Sequence, residues 1–166
     1  MATGSTTSMK NVSITTLEYL LNEHCVRHSE AELHALGIAV GTKAALRLLE
    51  GGAPQGGPPQ GDPPVLRTPL ECVKFVCRDV WAALEGRAMD SLRTNHAGTF
   101  LLRDAGALCY RRCWAGAPEE TLGSSGRFLA FSGGVLVGAL AATGVAAKVE
   151  VAGTETGGAE YTVEVA

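Results

Sequence analysis

The sequence predicts an α+β domain, with helices packed on one face of an antiparallel four-stranded sheet, and three observations carry that reading. Three Ser/Thr-x-x-Glu capping boxes (Thr15 with Glu18, Ser29 with Glu32, Thr68 with Glu71) each precede apolar residues at helical spacing. Pairs of extended runs flank turns rich in Asn and Gly. One twenty-residue stretch, Phe128–Ala147, carries no formal charge and supplies the centre of the core.

That stretch, FLAFSGGVLVGALAATGVAA, is closed by Arg127 and Lys148 and is long enough to cross a bilayer. A buried helix explains it better. Ser132, Gly133, Gly134, Gly138 and Gly144 interrupt it, Ala outweighs Leu and Ile, and no Trp, Tyr or basic cluster flanks it. After Gly144 the period changes to two: Val145, Val149 and Val151 alternate with Ala147, Glu150 and Ala152. A helix ending near Thr143, stopped by Gly144 and followed by a strand, accounts for both halves. Its glycines let other backbones approach closely.

The 166 residues amount to one domain, with 14 basic and 17 acidic side chains and a net charge of -3. No long basic run is present, so the composition favours neither nucleic acid nor an anionic membrane surface. Five cysteines (Cys25, Cys72, Cys77, Cys109, Cys113) fit reduced thiols better than a disulfide framework. The first residues, MATGSTTSMKNVS, read as a floppy tail over 1–14, neither signal peptide nor myristoylation site.

Taken in order, the first capping box opens a short helix with Leu17, Leu20, Leu21 and Cys25 on one face, ending near Val26. The second opens a helix over Glu30–Glu50, with Leu33, Leu36, Val40 and Ala44 on one stripe and Gly37 and Gly41 baring its backbone for a close crossing, within the chain or with a partner. Gly51–Pro64 is a flexible loop of Gly, Pro and Gln inside the domain. The third box, with Pro69 at the first helical position, opens a helix carrying Leu70, Val73, Val76 or Cys77, Val80, Trp81 and Leu84, which Gly86 stops. Met89–Thr94 and Thr99–Arg103 form a hairpin around Asn95, His96, Ala97 and Gly98. Leu108–Trp114 is a weaker strand candidate, and Pro118–Gly126 reads as a loop or one helical turn. Val145–Val151 and Tyr161–Val165 close the chain as a second hairpin around Gly153, Gly157 and Gly158.

Chemistry finds little purchase. Cys72 with Cys77, and Cys109 with Cys113, lack zinc-knuckle spacing beside His24, His28, His34 or His96, and read as core thiols. Neither phosphate-cradling glycine pattern is present, and no G-x-S-x-G surrounds Ser124, Ser125 or Ser132. Arg93, Thr94, Asn95 and His96 are the densest polar group, and His96 beside Asp90 or Asp104 is the one acid-base candidate. A satisfied tight turn accounts for the same letters. No cofactor or metal is implied.

The run MDSLRTNHAGT (Met89–Thr99), preceded by VKFVCRDVW (Val73–Trp81), resembles the small subunits of the TRAPP vesicle-tethering complex, within them the subunit six class, also called the Trs-thirty-three type. Leu36–Gly41 is similar to that family's second-helix glycine pair, and Phe128–Leu140 to its final helix. Arg93, Thr94, Asn95, His96 and Gly98 form the signature turn, and the resemblance runs collinearly from Leu17 to Val165.

That resemblance implies a soluble, non-catalytic building block, cytoplasmic and held at Golgi or ER-Golgi membranes through its complex. It implies pairing through the first two helices with a Bet-three-type subunit, alongside other TRAPP small subunits, in an assembly that promotes nucleotide exchange on a Rab GTPase. Contact with the GTPase is implied only indirectly. Carried over by position, the pairing surface comprises Leu17, Leu20, Leu21, Leu33, Leu36 and Val40, with a homodimer as the form in isolation. The Bet-three type carries an acylated cysteine after its second helix, but Gly51–Pro64 has none, so the lipid is not carried across. The rival readings are an acyl or other small-ligand pocket beneath the Phe128–Thr143 helix and a single-pass membrane protein.

Overall fold

Ser29 opens helix α1, Glu30–Leu49, through the reciprocal bonds its spacing to Glu32 predicts. Its Oγ accepts the Glu32 N–H at 3.3 Å, and the Glu32 carboxylate accepts the Ser29 N–H at 2.8 Å. Thr68 and Glu71 do the same for α2, Pro69–Phe75, at 3.2 and 3.0 Å. The structure, a computed structural model, describes residues 20, 23–25, 27–51, 63–106, 118–155 and 157–166, with side chains left out over 118–125. The first predicted capping box, Leu17, Leu21, Val26, most of the Gly/Pro loop, the Leu108–Trp114 strand, Cys109 and Cys113 lie outside the described residues. Leu20 and residues 23–25 are helical, as the short first helix requires.

The two capping carboxylates link folding to pH. Hydrogen bonds from Ser29, its backbone N–H first, hold Glu32 below its ordinary 4.5, and the Arg67 and Thr68 N–H groups do the same for Glu71. A depressed carboxylate contributes stability that is complete above the unfolded value and lost as pH falls through the lower folded one. Glu32→Gln with Glu71→Gln should therefore lower stability at pH 7 and converge with wild type in acid, once pH has fallen through the lowered folded values. Denaturant melts at both pH values measure this, and curves parallel throughout would remove the caps from the acid response.

After Phe75 the helix takes one π turn, Val76–Val80, then resumes as α3, Trp81–Glu85, and ends at Gly86 with φ 76. Periodicity alone reads this as one regular helix and leaves Val76 and Cys77 as alternatives; in the structure both are buried, together with Val80 and Trp81. The Cys77 carbonyl accepts the Met89 N–H at 3.1 Å, fastening the turn to the chain entering the sheet.

Helix α4 runs unbroken over Pro118–Ala142, which corrects the reading of Pro118–Gly126 as a loop or single turn. Gly and Ser weaken a helix by no more than about 1 kcal/mol each, so those within Pro118–Gly126 do not suffice to end it. It stops as predicted: Gly144 takes φ 84 and the Val145 N–H returns to the Leu140 carbonyl at 3.1 Å. Phe128, Phe131, Leu136, Ala139 and Leu140 are buried, as befits a helix covered on nearly all sides.

Strands β1 (Ser91–Thr94), β2 (Thr99–Asp104), β3 (Ala147–Gly153) and β4 (Ala159–Val165) form one antiparallel sheet in the order β1-β2-β4-β3. Leu102 pairs with Tyr161 and Phe100 with Val163, placing buried side chains on one face beneath α4. Arg103, Glu160, Lys148, Glu150 and Glu164 occupy the other face, where Arg103 lies 3.6 Å from Glu160.

The α1–α4 crossing is where the predicted glycine pair is used. A Cβ on Gly37 or Gly41 would meet the carbonyl oxygens of Phe131 and Val135 at 2.1 and 2.0 Å. Reciprocally, one on Gly134 or Gly138 would meet those of His34 and Ile38 at 2.2 and 2.1 Å. Thr42 Oγ1 bridges the pair, donating toward the carbonyls of Ile38 at 2.8 Å and Gly138 at 3.2 Å. The buried seam of α1 is thus Leu33, Gly37, Gly41, Ala45 and Leu48, displaced from the predicted Leu33-Leu36-Val40-Ala44 stripe. Counting large apolar side chains misses a face on which the backbone itself makes the contact.

Candidate functional site

The polar signature turn is occupied by its own closure. Asn95 Oδ1 accepts the N–H groups of Ala97 at 2.9 Å and Thr99 at 3.1 Å, and Thr94 Oγ1 accepts that of His96 at 3.1 Å. His96 has φ 58 and Gly98 φ 90, so the Asn and Gly chemistry supplies the left-handed geometry the loop needs. The Gly98 carbonyl then accepts the Val165 N–H at 2.9 Å, locking the last strand beside the turn. Arg93 lies exposed on the outer sheet face.

The neighbouring carboxylates are engaged in packing. Asp104, fully buried, accepts Trp81 Nε1–H at 3.0 Å and the Gly106 N–H at 3.1 Å, and pairs with Arg87. Arg87 also reaches Asp90, whose carboxyl is held below its ordinary value chiefly by the Ala105 N–H at 2.6 Å. What this arrangement does is join the α3 end to both strands of the first hairpin. Cys25, Cys72 and Cys77 are buried free thiols, and desolvation pushes Cys77 up to about 12, leaving it protonated at neutral pH. Among the described residues, no group of three or more His, Cys, Asp or Glu is placed to hold a metal ion. No helix in them is long and apolar enough to cross a membrane.

Three of the six predicted pairing residues share a groove. Leu20, Leu36 and Val40 line one side of a concavity of about 210 Å³, with Trp81 and Leu84 from α3 and Phe131 and Val135 from α4. Leu20 is 52% and Leu36 38% exposed, while Val40 is half-buried. His24, Glu85 and Ser132 are its polar lining, and the Ser132 hydroxyl is satisfied by the Leu129 carbonyl at 3.0 Å. Leu33 belongs instead to the chain's own core, with no exposed surface, because it continues the glycine seam. The walls from α3 and α4 escape a reading of α1 alone; the apolar stripe through Trp81 and Leu84 was the available signal.

From residue 9 to 166 the chain matches the family model described as Transport protein particle (TRAPP) component. It is 36% identical over 110 residues to trafficking protein particle complex subunit 6A of Bos taurus, covering 63% of this chain and 68% of that protein. The Mus musculus protein of the same name is 37% identical over 105 residues, covering 60% and 65%. Subunit 6b of Danio rerio is 37% identical over 76 residues, covering 46% and 47%, so the matches span from about two thirds to about half of these relatives. Among solved structures, the subunit 3 of the same kind of complex from Naegleria fowleri, covalently bound to palmitic acid, aligns over 92% of both chains with a TM-score of 0.56. At 12% identity that likeness speaks to the α+β fold alone.

Proposed function

We propose, because the chain belongs to the TRAPP component family, that it is a subunit of a vesicle-trafficking complex and contributes a docking surface rather than a reaction. The observation that carries this is the groove: exposed Leu20 and Leu36 and half-buried Val40 gather over apolar walls on the helical side of the domain. Apolar surface of this kind, gathered in a concavity, marks a protein contact. The occupant is a helical face of a Bet-three-type subunit, and the pair acts in a larger assembly that promotes exchange on a Rab GTPase during ER-to-Golgi and Golgi transport. The GTPase is touched by other subunits.

Leu36→Glu is expected to weaken that pairing at least about thirtyfold, since a charge enters the centre of an apolar contact. The fold should survive, because Leu36 lies outside the seam. Co-purification of the full chain with a Bet-three-type subunit, followed by titration calorimetry, measures the loss; unchanged affinity would move the contact elsewhere. The concave shape also favours a second reading, a small apolar ligand of the acyl class seated between α1 and α4. Native mass spectrometry of the purified chain separates the two.

A further inference from the structure

Strand β3 is an edge of the sheet: among the described residues its one neighbour is β4. The Ala166 N–H donates to the Ala146 carbonyl at 3.1 Å just before the strand, and the Thr154 N–H to the Gly158 carbonyl at 2.8 Å just after it. Residue pairs in an antiparallel ladder alternate between bonded and open, so with this phase Lys148, Glu150 and Ala152 bond to β4. Ala147, Val149, Val151 and Gly153 turn their N–H and C=O groups the other way, along the bare edge. Proline, a bulge or an inward charge usually blunts such an edge. Here the inward Val149 and Val151 are half-buried and no proline interrupts the run, while Lys148 and Glu150 pair with each other on the outer face at 2.6 Å.

Beside Val149 and Val151 lies an open hollow of about 350 Å³, floored by Leu129, Ala130 and Gly133 of α4 and walled by Glu30 and His34 of α1. A Cβ on Gly133 would stand 2.7 Å from Val151, and one on Gly126, about two turns earlier on α4, 3.0 Å from the Glu30 carboxylate. The hollow therefore runs from the strand edge to that carboxylate. Glu30 is exposed, makes no ion pair among the described residues, and is the one carboxylate lining the hollow. Bare backbone calls for an extended chain, the apolar floor for apolar side chains at every second position, and Glu30 for a base on the same side. We propose that β3 is a docking edge on which a segment of another protein with that pattern adds as a fifth strand, its lysine or arginine facing Glu30. The hollow shares no lining residue with the groove around Leu36, so this contact is independent of the pairing proposed there.

The probe is the acetylated and amidated heptapeptide Lys-Thr-Val-Thr-Val-Thr-Lys, whose symmetry serves either strand direction, titrated into the full chain and followed by amide NMR. In the free chain the N–H groups of Val149 and Val151 should exchange quickly and those of Lys148 and Glu150 slowly; the peptide should protect the first pair and leave the Leu36 signal unmoved. Glu30→Lys should weaken the lysine peptide about fivefold or more and favour its counterpart with glutamate at both ends, a swap that no folding defect produces. Val149→Pro deletes an N–H that β4 does not use, so the fold should hold while affinity falls about tenfold or more. Failure of the peptide to bind, shifts confined to the Leu36 groove, indifference to Glu30→Lys, or binding that survives Val149→Pro would each overturn the proposal. So would slow exchange of Val149 and Val151 in the free chain, which would mean that a second copy or this chain's own residues already hold the edge.

Discussion

Gly138→Ala is expected to destabilise the domain by about 2 kcal/mol or more, although alanine is the better helix former by about 1 kcal/mol. The added Cβ would lie 2.1 Å from the Ile38 carbonyl oxygen and 2.8 Å from its carbon, both rigid backbone atoms in the middle of α1. Relief requires the two helices to part, and that opens the seam along Leu33, Gly37, Gly41 and Ala45. Ala141→Gly, at an exposed position on the same helix, should cost roughly 0.5–1 kcal/mol through propensity alone. The preference between Gly and Ala thus reverses within one turn of α4. Urea unfolding of both variants measures it, and a stabilised Gly138→Ala would mean that the helices do not touch at that point.

Asp104→Ala should cost about 3 kcal/mol, the lower end for breaking a buried ion pair. Asp104 is fully buried, but Arg87 is 33% exposed and regains water when its partner is lost. The Trp81 indole cannot. Its N–H loses the acceptor at 3.0 Å while the ring stays packed edge-on against Tyr161, with centroids 5.7 Å apart. Adding Trp81→Phe removes the stranded donor, so the double variant should be more stable than the sum of the single effects by at least about 0.5 kcal/mol. Additive losses would show that the indole and the carboxylate act independently.

The parts legible in the sequence were those settled by neighbours in the chain. Ser29 with Glu32 and Thr68 with Glu71 make their bonds within one turn, and Asn95 to Gly98 closes a hairpin using its own side chains. The parts misread depend on distant residues. Gly126 looks like a breaker until α1 lies beside it with Glu30 3.0 Å from where a Cβ would stand, and the π turn shows only as the joint burial of Val76 and Cys77. The groove divides likewise: Leu20 on the first predicted helix and Leu36 and Val40 on the second are readable as apolar stripes, whereas Phe131 and Val135 become its wall only through the α4 crossing. Leu33 falls on the predicted pairing surface yet lies in the core, since periodicity assigns a face without saying what covers it.

The four-glycine contact also governs how a companion protein meets this one. With carbonyls of each helix seated against the bare α-carbons of the other, α1 can neither roll about its axis nor slip by a residue without collision. Leu36 and Val40, each adjacent in the chain to a seam glycine, are therefore held at a set angle before anything arrives. An arriving helix has little conformational entropy to remove from this side of the contact, so recognition here is a matter of fit to a preset relief. Variation at the outward positions is then free to retune the choice of companion without loosening the crossing underneath.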